Sequence, residues 1–267
     1  MIYAVVAALA VAGALYYLLA MHGSGNSITG FDNQRVSAAL MSQLYSIANN
    51  ETLANRIGIG TAASGLPLNV NGSALVAGGK PAIIYVGADF CPYCSITRWS
   101  LVIALMRFGN FTSLRYMTSS ASDIYANTAT FTFYNSSYSS ALLSFIAVEV
   151  MTNDDKPLQT PNGIENATFG KYSLNNTALP ADIRGSIPFI DFANKSVQVG
   201  ALVTPESISG MDWAEIVAAM HNSSSQVAQA IIGSANVFTA YMCASNASLR
   251  YSAACNQSYI AKIRLLS

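Results

Sequence analysis

Charge is scarce in this sequence. Only 10% of its 267 residues are Asp, Glu, Lys or Arg, against roughly a quarter in ordinary soluble domains. The 13 basic residues cancel the 13 acidic ones. A neutral, charge-poor chain gives no case for a nucleic-acid partner or an acidic ligand. Histidine is almost missing, with only His22 and His221. No Ser-His-Asp set, phosphate-cradling glycine loop or dinucleotide fingerprint can be assembled from what remains. No Lys or Arg precedes the apolar start of the chain, so flanking charge cannot orient it in a membrane. There is no internal repeat.

Apolar and neutral polar residues fill the gap. Hydrophobic residues make up 52% of the chain, and this length can bury a sizeable core. Met1 to Met21 carries no charged side chain. As a helix it would rise about 31 Å, close to the thickness of a bilayer core. Tyr3, Tyr16 and Tyr17 are placed for its two interfaces. Residues 1–22 therefore read as a transmembrane anchor. A cleaved signal sequence is the competing reading, but it would have a basic start and a shorter apolar stretch. Residues 23–30 read as a linker and residues 31–267 as one extracytoplasmic domain.

The outward orientation rests on glycosylation sequons. They begin at Asn50, Asn71, Asn110, Asn135, Asn166, Asn175, Asn194, Asn222, Asn246 and Asn256. Roughly three or four would arise by chance from this Ser and Thr content. The excess points to a cell-surface glycoprotein.

Along the domain, Val36, Leu40, Leu44 and Ile47 recur at helical spacing, predicting a helix over 34–57. Residues 58–79 are Gly-rich and loop-like, with room for one strand near Leu66 to Val70. Pro81 to Val86 reads as a buried strand, residues 87–90 as a turn, and 91–108 as a helix. Leu114 to Met117 is a candidate strand. Residues 128–134 and 141–150 read as two strands joined by a turn over 135–140. A polar excursion covers 153–180. Two strands, 187–192 and 196–202, then pair around Ala193-Asn194-Lys195. Helices are expected over 213–220 and 226–241. The fold class is α/β.

The chemistry concentrates at Cys91-Pro92-Tyr93-Cys94, between a buried strand and a long helix. A cysteine at a helix N-terminus faces unpaired N–H groups and the positive end of the dipole, which stabilise its thiolate. That thiolate can attack a disulfide, and a second cysteine one turn later can resolve the mixed disulfide. Pro92 falls at the first helical position, where its missing N–H costs nothing. Cys91 is thus the expected nucleophile, Cys94 the resolving thiol, and Tyr93 a tuning residue, with a Cys91–Cys94 disulfide in the oxidised state. Zinc sites use the same spacing but need a second ligand pair, which Cys243 and Cys255 could supply. A purely structural CxxC disulfide is a further alternative.

Ile187-Pro188 opens an apolar strand well after this helix. Cis peptide bonds are confined to X-Pro, so a cis bond here is one reading and an ordinary trans strand start the other. Cys243 and Cys255, with eleven residues between them, read as a structural disulfide closing a C-terminal loop, or as a second redox pair. Asp89 reads as an exposed turn carboxylate, Trp99 and Trp213 as core, and His221 as a partner for a helix C-terminus.

These residues resemble the thioredoxin superfamily, in which Cys-Pro-Tyr-Cys is most familiar from glutaredoxins. The closer resemblance is to the archaeal family known as domain of unknown function 929. It is carried by residues 79–109, by Phe133-Tyr134-Asn135-Ser136-Ser137-Tyr138, by Ile187-Pro188-Phe189, by Ser209-Gly210-Met211-Asp212-Trp213, and by the tail around Ala235-Asn236 to Cys243 and Cys255. The resemblance implies a thioredoxin-like fold with an insertion between the CxxC helix and a cis-Pro strand. It implies a substrate groove shaped by Pro92, Tyr93, Ile187 and Pro188, and an archaeal surface protein. The Gly-Gly pair that glutaredoxins place near glutathione is missing after Pro188, so no cofactor is expected. The expected activity is thiol–disulfide exchange on protein substrates, with a membrane redox partner. The alternative is a non-catalytic surface module with structural disulfides.

Overall fold

A computed structural model describes residues 28–62 and 65–264; the expected anchor, residues 1–22, lies outside the described residues. Ile28–Phe31 forms a short 3-10 turn whose apolar side chains pack on the core, so the domain begins inside the segment read as linker. The single helix expected over 34–57 is two helices, α1 (Ala38–Ala48) and α2 (Glu51–Ile57). Asn50 divides them, because its side chain accepts the Leu53 N–H at 3.0 Å and starts a new helix.

Two short strands, β1 (Leu68–Asn69) and β2 (Val76–Ala77), lie in the Gly-rich stretch. The apolar run is β3 (Lys80–Gly87), buried beyond its first residue. The long buried helix α3 (Pro92–Met106) follows. Next come β4 (Asn110–Phe111), β5 (Arg115–Thr118), β6 (Ala129–Thr132), β7 (Tyr138–Ser139) and β8 (Ser144–Glu149). The polar excursion is not featureless: it holds α4 (Gly163–Phe169), which runs into a π turn over Gly170–Leu174. β9 (Phe189–Phe192) and β10 (Ser196–Val199) form the expected hairpin, with Ala193 and Asn194 both at positive φ in its turn. After a 3-10 turn at Pro205–Ile208 come α5 (Trp213–Met220), α6 (Gln226–Ser245) and α7 (Ser258–Arg264).

The central sheet is mixed and flanked by helices. Its order is β1–β10–β9–β3, with β2 and β8 sharing the outer edge of β3. β8 runs parallel to β3, from Ala82 opposite Ser144 to Gly87 opposite Glu149, and the other pairs are antiparallel. This corrects one expectation. The strands at 128–134 and 141–150 exist, but they do not pair with each other: β6 joins β5 in a separate ladder and β8 joins β3. Parallel pairing needs a long crossover, here through α3, and strand patterning alone does not reveal it.

Side chains alternate across the sheet. Ile83, Tyr85, Ile190 and Phe192 face the larger core, with Trp99, Trp213 and Phe238. Ala82, Ile84, Val86, Phe189 and Val197 face the other side, where Phe169 and Tyr172 cover them. Among the described residues, α6 is the one helix long and apolar enough to cross a membrane, but it is almost entirely buried inside the domain. Gly233 permits its close approach to the α2 exit: a Cβ there would lie 2.4 Å from the Ile59 carbonyl oxygen.

Candidate functional site

β3 carries the chain through Gly87-Ala88-Asp89-Phe90 to the head of α3. Cys91 is the N-cap of that helix, with extended backbone (φ −79°, ψ 117°), and its Sγ accepts the Cys94 N–H at 3.2 Å. An N-cap acceptor is ordinarily a hydroxyl or carboxylate oxygen; here sulfur takes the place. The Ser95 hydroxyl donates to the Cys91 carbonyl at 3.1 Å, and Pro92 occupies the first turn. Cys91 is 7% exposed and Cys94 fully buried. Tyr93 turns outward, 41% exposed, with its ring edge-on to Tyr125 at 6.3 Å.

The two thiols are driven in opposite directions. Hydrogen bonding from Cys94, first its thiol and then its N–H, lowers the Cys91 pKa against the effect of burial, and the Arg98 charge adds to the lowering. Burial and the neighbouring Cys91 push Cys94 well above the ordinary thiol value. Both cysteines are free thiols in this structure.

Beneath the pair lies a buried charge network that sequence reasoning missed. Arg98, with no exposure, donates from Nε to Glu149 at 3.0 Å and to the Tyr85 hydroxyl at 3.2 Å. Its Nη2 donates to Glu149 at 3.3 Å and to the Ala88 carbonyl, and lies 3.6 Å from Asp89. Asp89 is therefore not the exposed turn carboxylate expected; it is 1% exposed, because the turn folds it inward toward Arg98. Burial pushes Glu149 up to about 8 and raises Asp89, while Arg98 pulls both down. One guanidinium thus serves two buried carboxylates. Arg98 was findable: it stands four residues after Cys94 and seven after Cys91, on the same helical face, as the one charged residue in its helix in a charge-poor chain.

The Ile187–Pro188 peptide bond is cis. Phe189 pairs with Val86, so Pro188 sits at the end of β3 from which Cys91 emerges. The Pro188 carbonyl accepts the Gly200 N–H at 2.8 Å, and Ile187 is half-buried. The structure thus brings Cys91, Pro92, Tyr93, Cys94, Ile187 and Pro188 to one end of the sheet.

Cys243 and Cys255 form a disulfide, with their Cα atoms 5.6 Å apart. It follows Tyr241, which packs on Phe192 at the opposite end of β3, so it is not placed to exchange with the dithiol. Nor can two bonded sulfurs complete a zinc site with Cys91 and Cys94. Trp99 and Trp213 are core residues, and His221 caps the C-terminus of α5, as expected. Of the sequon asparagines, Asn50, Asn71, Asn110, Asn135, Asn166, Asn175, Asn222 and Asn256 are exposed. Asn194 and Asn246 are half-buried; Asn194 donates to the Ser73 carbonyl at 3.1 Å, and Asn246 accepts the Ser248 N–H at 2.9 Å.

Fold and site together define a mixed α/β domain with a dithiol at the head of a buried helix, backed by a buried Arg–carboxylate network. The chain belongs to the family described as Domain of unknown function (DUF929), whose family model matches residues 67–244. That match takes in the dithiol, Arg98, Glu149, Pro188 and Cys243. No curated protein and no solved structure matches the chain.

Proposed function

We propose that this protein is a thioredoxin-like thiol–disulfide oxidoreductase that acts on protein disulfides outside the cytoplasm, tethered to the membrane by its N-terminal segment. The observation that carries the reading is the placement of two thiols one helical turn apart, with Cys91 as N-cap accepting the Cys94 N–H at 3.2 Å and Cys94 fully buried; hydrogen bonding lowers the first thiol and burial raises the second. A thioredoxin-like assignment is supported by the mixed sheet, the CxxC helix leaving a central strand, and the cis Ile187–Pro188 bond at the same end. An oxidising compartment is supported by the Cys243–Cys255 disulfide and by the eight exposed sequons.

In the reducing direction, the Cys91 thiolate attacks one sulfur of the substrate disulfide. The substrate S–S bond breaks, a Cys91–substrate disulfide forms, and the released thiolate takes up a proton. Cys94 passes its proton to the Asp89/Glu149 pair and attacks Cys91 Sγ. The mixed bond breaks, and the second substrate thiolate leaves and takes up the proton that Cys94 gave up. Two electrons have moved: the substrate is reduced to two thiols and the protein holds a Cys91–Cys94 disulfide. The same steps in reverse oxidise a dithiol. A second thiol–disulfide couple in the membrane resets the pair.

The test is insulin-disulfide turnover by the full-length protein beside Cys91→Ser and Cys94→Ser. Cys91→Ser should be inert and Cys94→Ser should accumulate a mixed disulfide. Wild-type turnover no higher than that of Cys91→Ser would overturn the proposal and leave the surface-module reading.

A further inference from the structure

The dithiol stands at the head of α3, and the tail of the same helix carries a cation without a counter-charge. Arg107 is the C-cap of α3 and is half-buried. Its Nε donates at 3.0 Å to the carbonyl of Ala48, the last residue of α1. Its Nη1 is shared by the Ala235 carbonyl at 3.3 Å, the Thr239 hydroxyl at 2.7 Å and the Tyr259 hydroxyl at 2.9 Å. One guanidinium thus gathers α1, α6 and α7 around the tail of α3, and every acceptor it uses is neutral.

Arg98, on the same helix, answers to two carboxylates. Among the described residues no Asp or Glu forms an ion pair with Arg107. Its Nη2 is buried and has no hydrogen-bond partner there. Burial lowers the Arg107 pKa, with Tyr259 opposing, as for a cation taken out of water with no opposite charge beside it. A buried donor left without an acceptor is destabilising, and more so when it is charged.

The same guanidinium lines a cleft. It opens between the end of α1, the start of α2 and the 253–259 segment, and Arg107 shares its wall with Ala48, Asn49, Ala253 and Tyr259. The cleft encloses about 70 Å³. At roughly 10–15 Å³ per water, that is space for about five waters or one small ion. Glu51 is the other charged residue of the lining; it is exposed and accepts the Gln257 Nε2 N–H at 2.7 Å. Coulomb repulsion scales with charge, so Glu51 disfavours a dianion more than a monoanion.

We propose that this cleft binds a small monovalent anion, a halide or a carboxylate, as the missing partner of Arg107, and that the bound anion braces the C-terminal segment closed by Cys243–Cys255 against α1 and α3. The site stands apart from the dithiol and does not rest on the oxidoreductase reading.

The experiment is thermal unfolding of the full-length protein in sodium gluconate, chloride and formate at equal ionic strength. Gluconate is too bulky for the cleft and sets the baseline. An anion held only by the folded state raises Tm by roughly 3–5 °C at ten times its Kd. Chloride, formate or both should therefore raise Tm, saturably with concentration. A rise in chloride alone assigns a halide and a rise in formate alone a carboxylate, and either supports the site. Arg107→Met should abolish the rise. Should that variant fail to fold, Ala253→Leu fills the cleft from an exposed position, leaves the guanidinium in place, and should abolish the rise as well. Glu51→Gln keeps an acceptor for Gln257, removes the like charge, and should lower the half-saturating anion concentration several-fold. No saturable rise in either salt, or an undiminished rise in Ala253→Leu, would overturn the proposal.

Discussion

Replacing Arg98 by Met keeps the volume of a long side chain and removes the only buried cation beneath the dithiol among the described residues. Arg98 gives Glu149 two hydrogen bonds, at 3.0 and 3.3 Å, and stands 3.6 Å from Asp89, all with no solvent access. Removing one partner of a buried ion pair costs about 3–5 kcal/mol, because the other charge is left uncompensated. Here the loss must depend on pH. Glu149 has its pKa raised to about 8, so its folded-state proton contributes stability that is lost as pH rises from the ordinary carboxyl range through about 8. Without Arg98 both carboxyls are pushed further up, so the extra loss in Arg98→Met grows as pH rises through the wild-type Glu149 value of about 8 and should be larger at pH 9 than at pH 6. Urea unfolding at the two pH values reads this difference. The same variant should raise the Cys91 pKa, since the Arg98 charge helps hold it down. Adding Glu149→Gln should recover part of the stability. A loss below about 1 kcal/mol, typical of exposed pairs, or an equal loss at both pH values would refute the reasoning.

Two other perturbations have worked-out signs. Asp191 is buried, accepts the Asn194 N–H at 2.6 Å, has no cation partner among the described residues, and is pushed by burial up to about 7. Its contribution is therefore lost as pH rises from about 4 to 7, and Asp191→Asn, which keeps an acceptor for Asn194, should gain about 1–3 kcal/mol at pH 8 and little at pH 4 in denaturant titrations. Gly233→Ala would set a Cβ 2.4 Å from the Ile59 carbonyl oxygen, a backbone atom that cannot step aside, and should cost about 1–3 kcal/mol. Gly170→Ala, with open space around the added methyl and a helical φ of −58°, is the control and should be neutral or stabilising in the same melts.

The parts of this fold legible in the sequence are those set by local rules. Strand β3 announces itself as an unbroken apolar run, α3 by its Cys-Pro start, and the β9–β10 hairpin by Ala193-Asn194-Lys195 between two apolar runs. The illegible parts depend on long-range partners. That β8 would lie parallel to β3 and β6 beside β5 is a matter of crossover geometry, and no residue in either strand encodes it alone. Asp89 illustrates the same limit at the site. A carboxylate in a turn is ordinarily solvated, and only Arg98, nine residues on and folded back by α3, draws it inside. Asn50, by contrast, carried a local signal: an Asn followed by Glu51 and an apolar residue at Leu53 has the pattern of a helix start. The sequon count was legible, but which asparagines face solvent was not; Asn194 is spent on holding the Ser73 segment.

The central claim is that Cys91 and Cys94 are a nucleophile and a protected resolving thiol. It is tested most directly by site-resolved alkylation of the reduced full-length protein across pH, read by mass spectrometry. Cys91 should be modified with a midpoint clearly below the free-thiol value of about 8.5, while Cys94 stays unmodified across the same range. Equal modification of the two cysteines, or a Cys91 midpoint at or above the free value, would contradict the account.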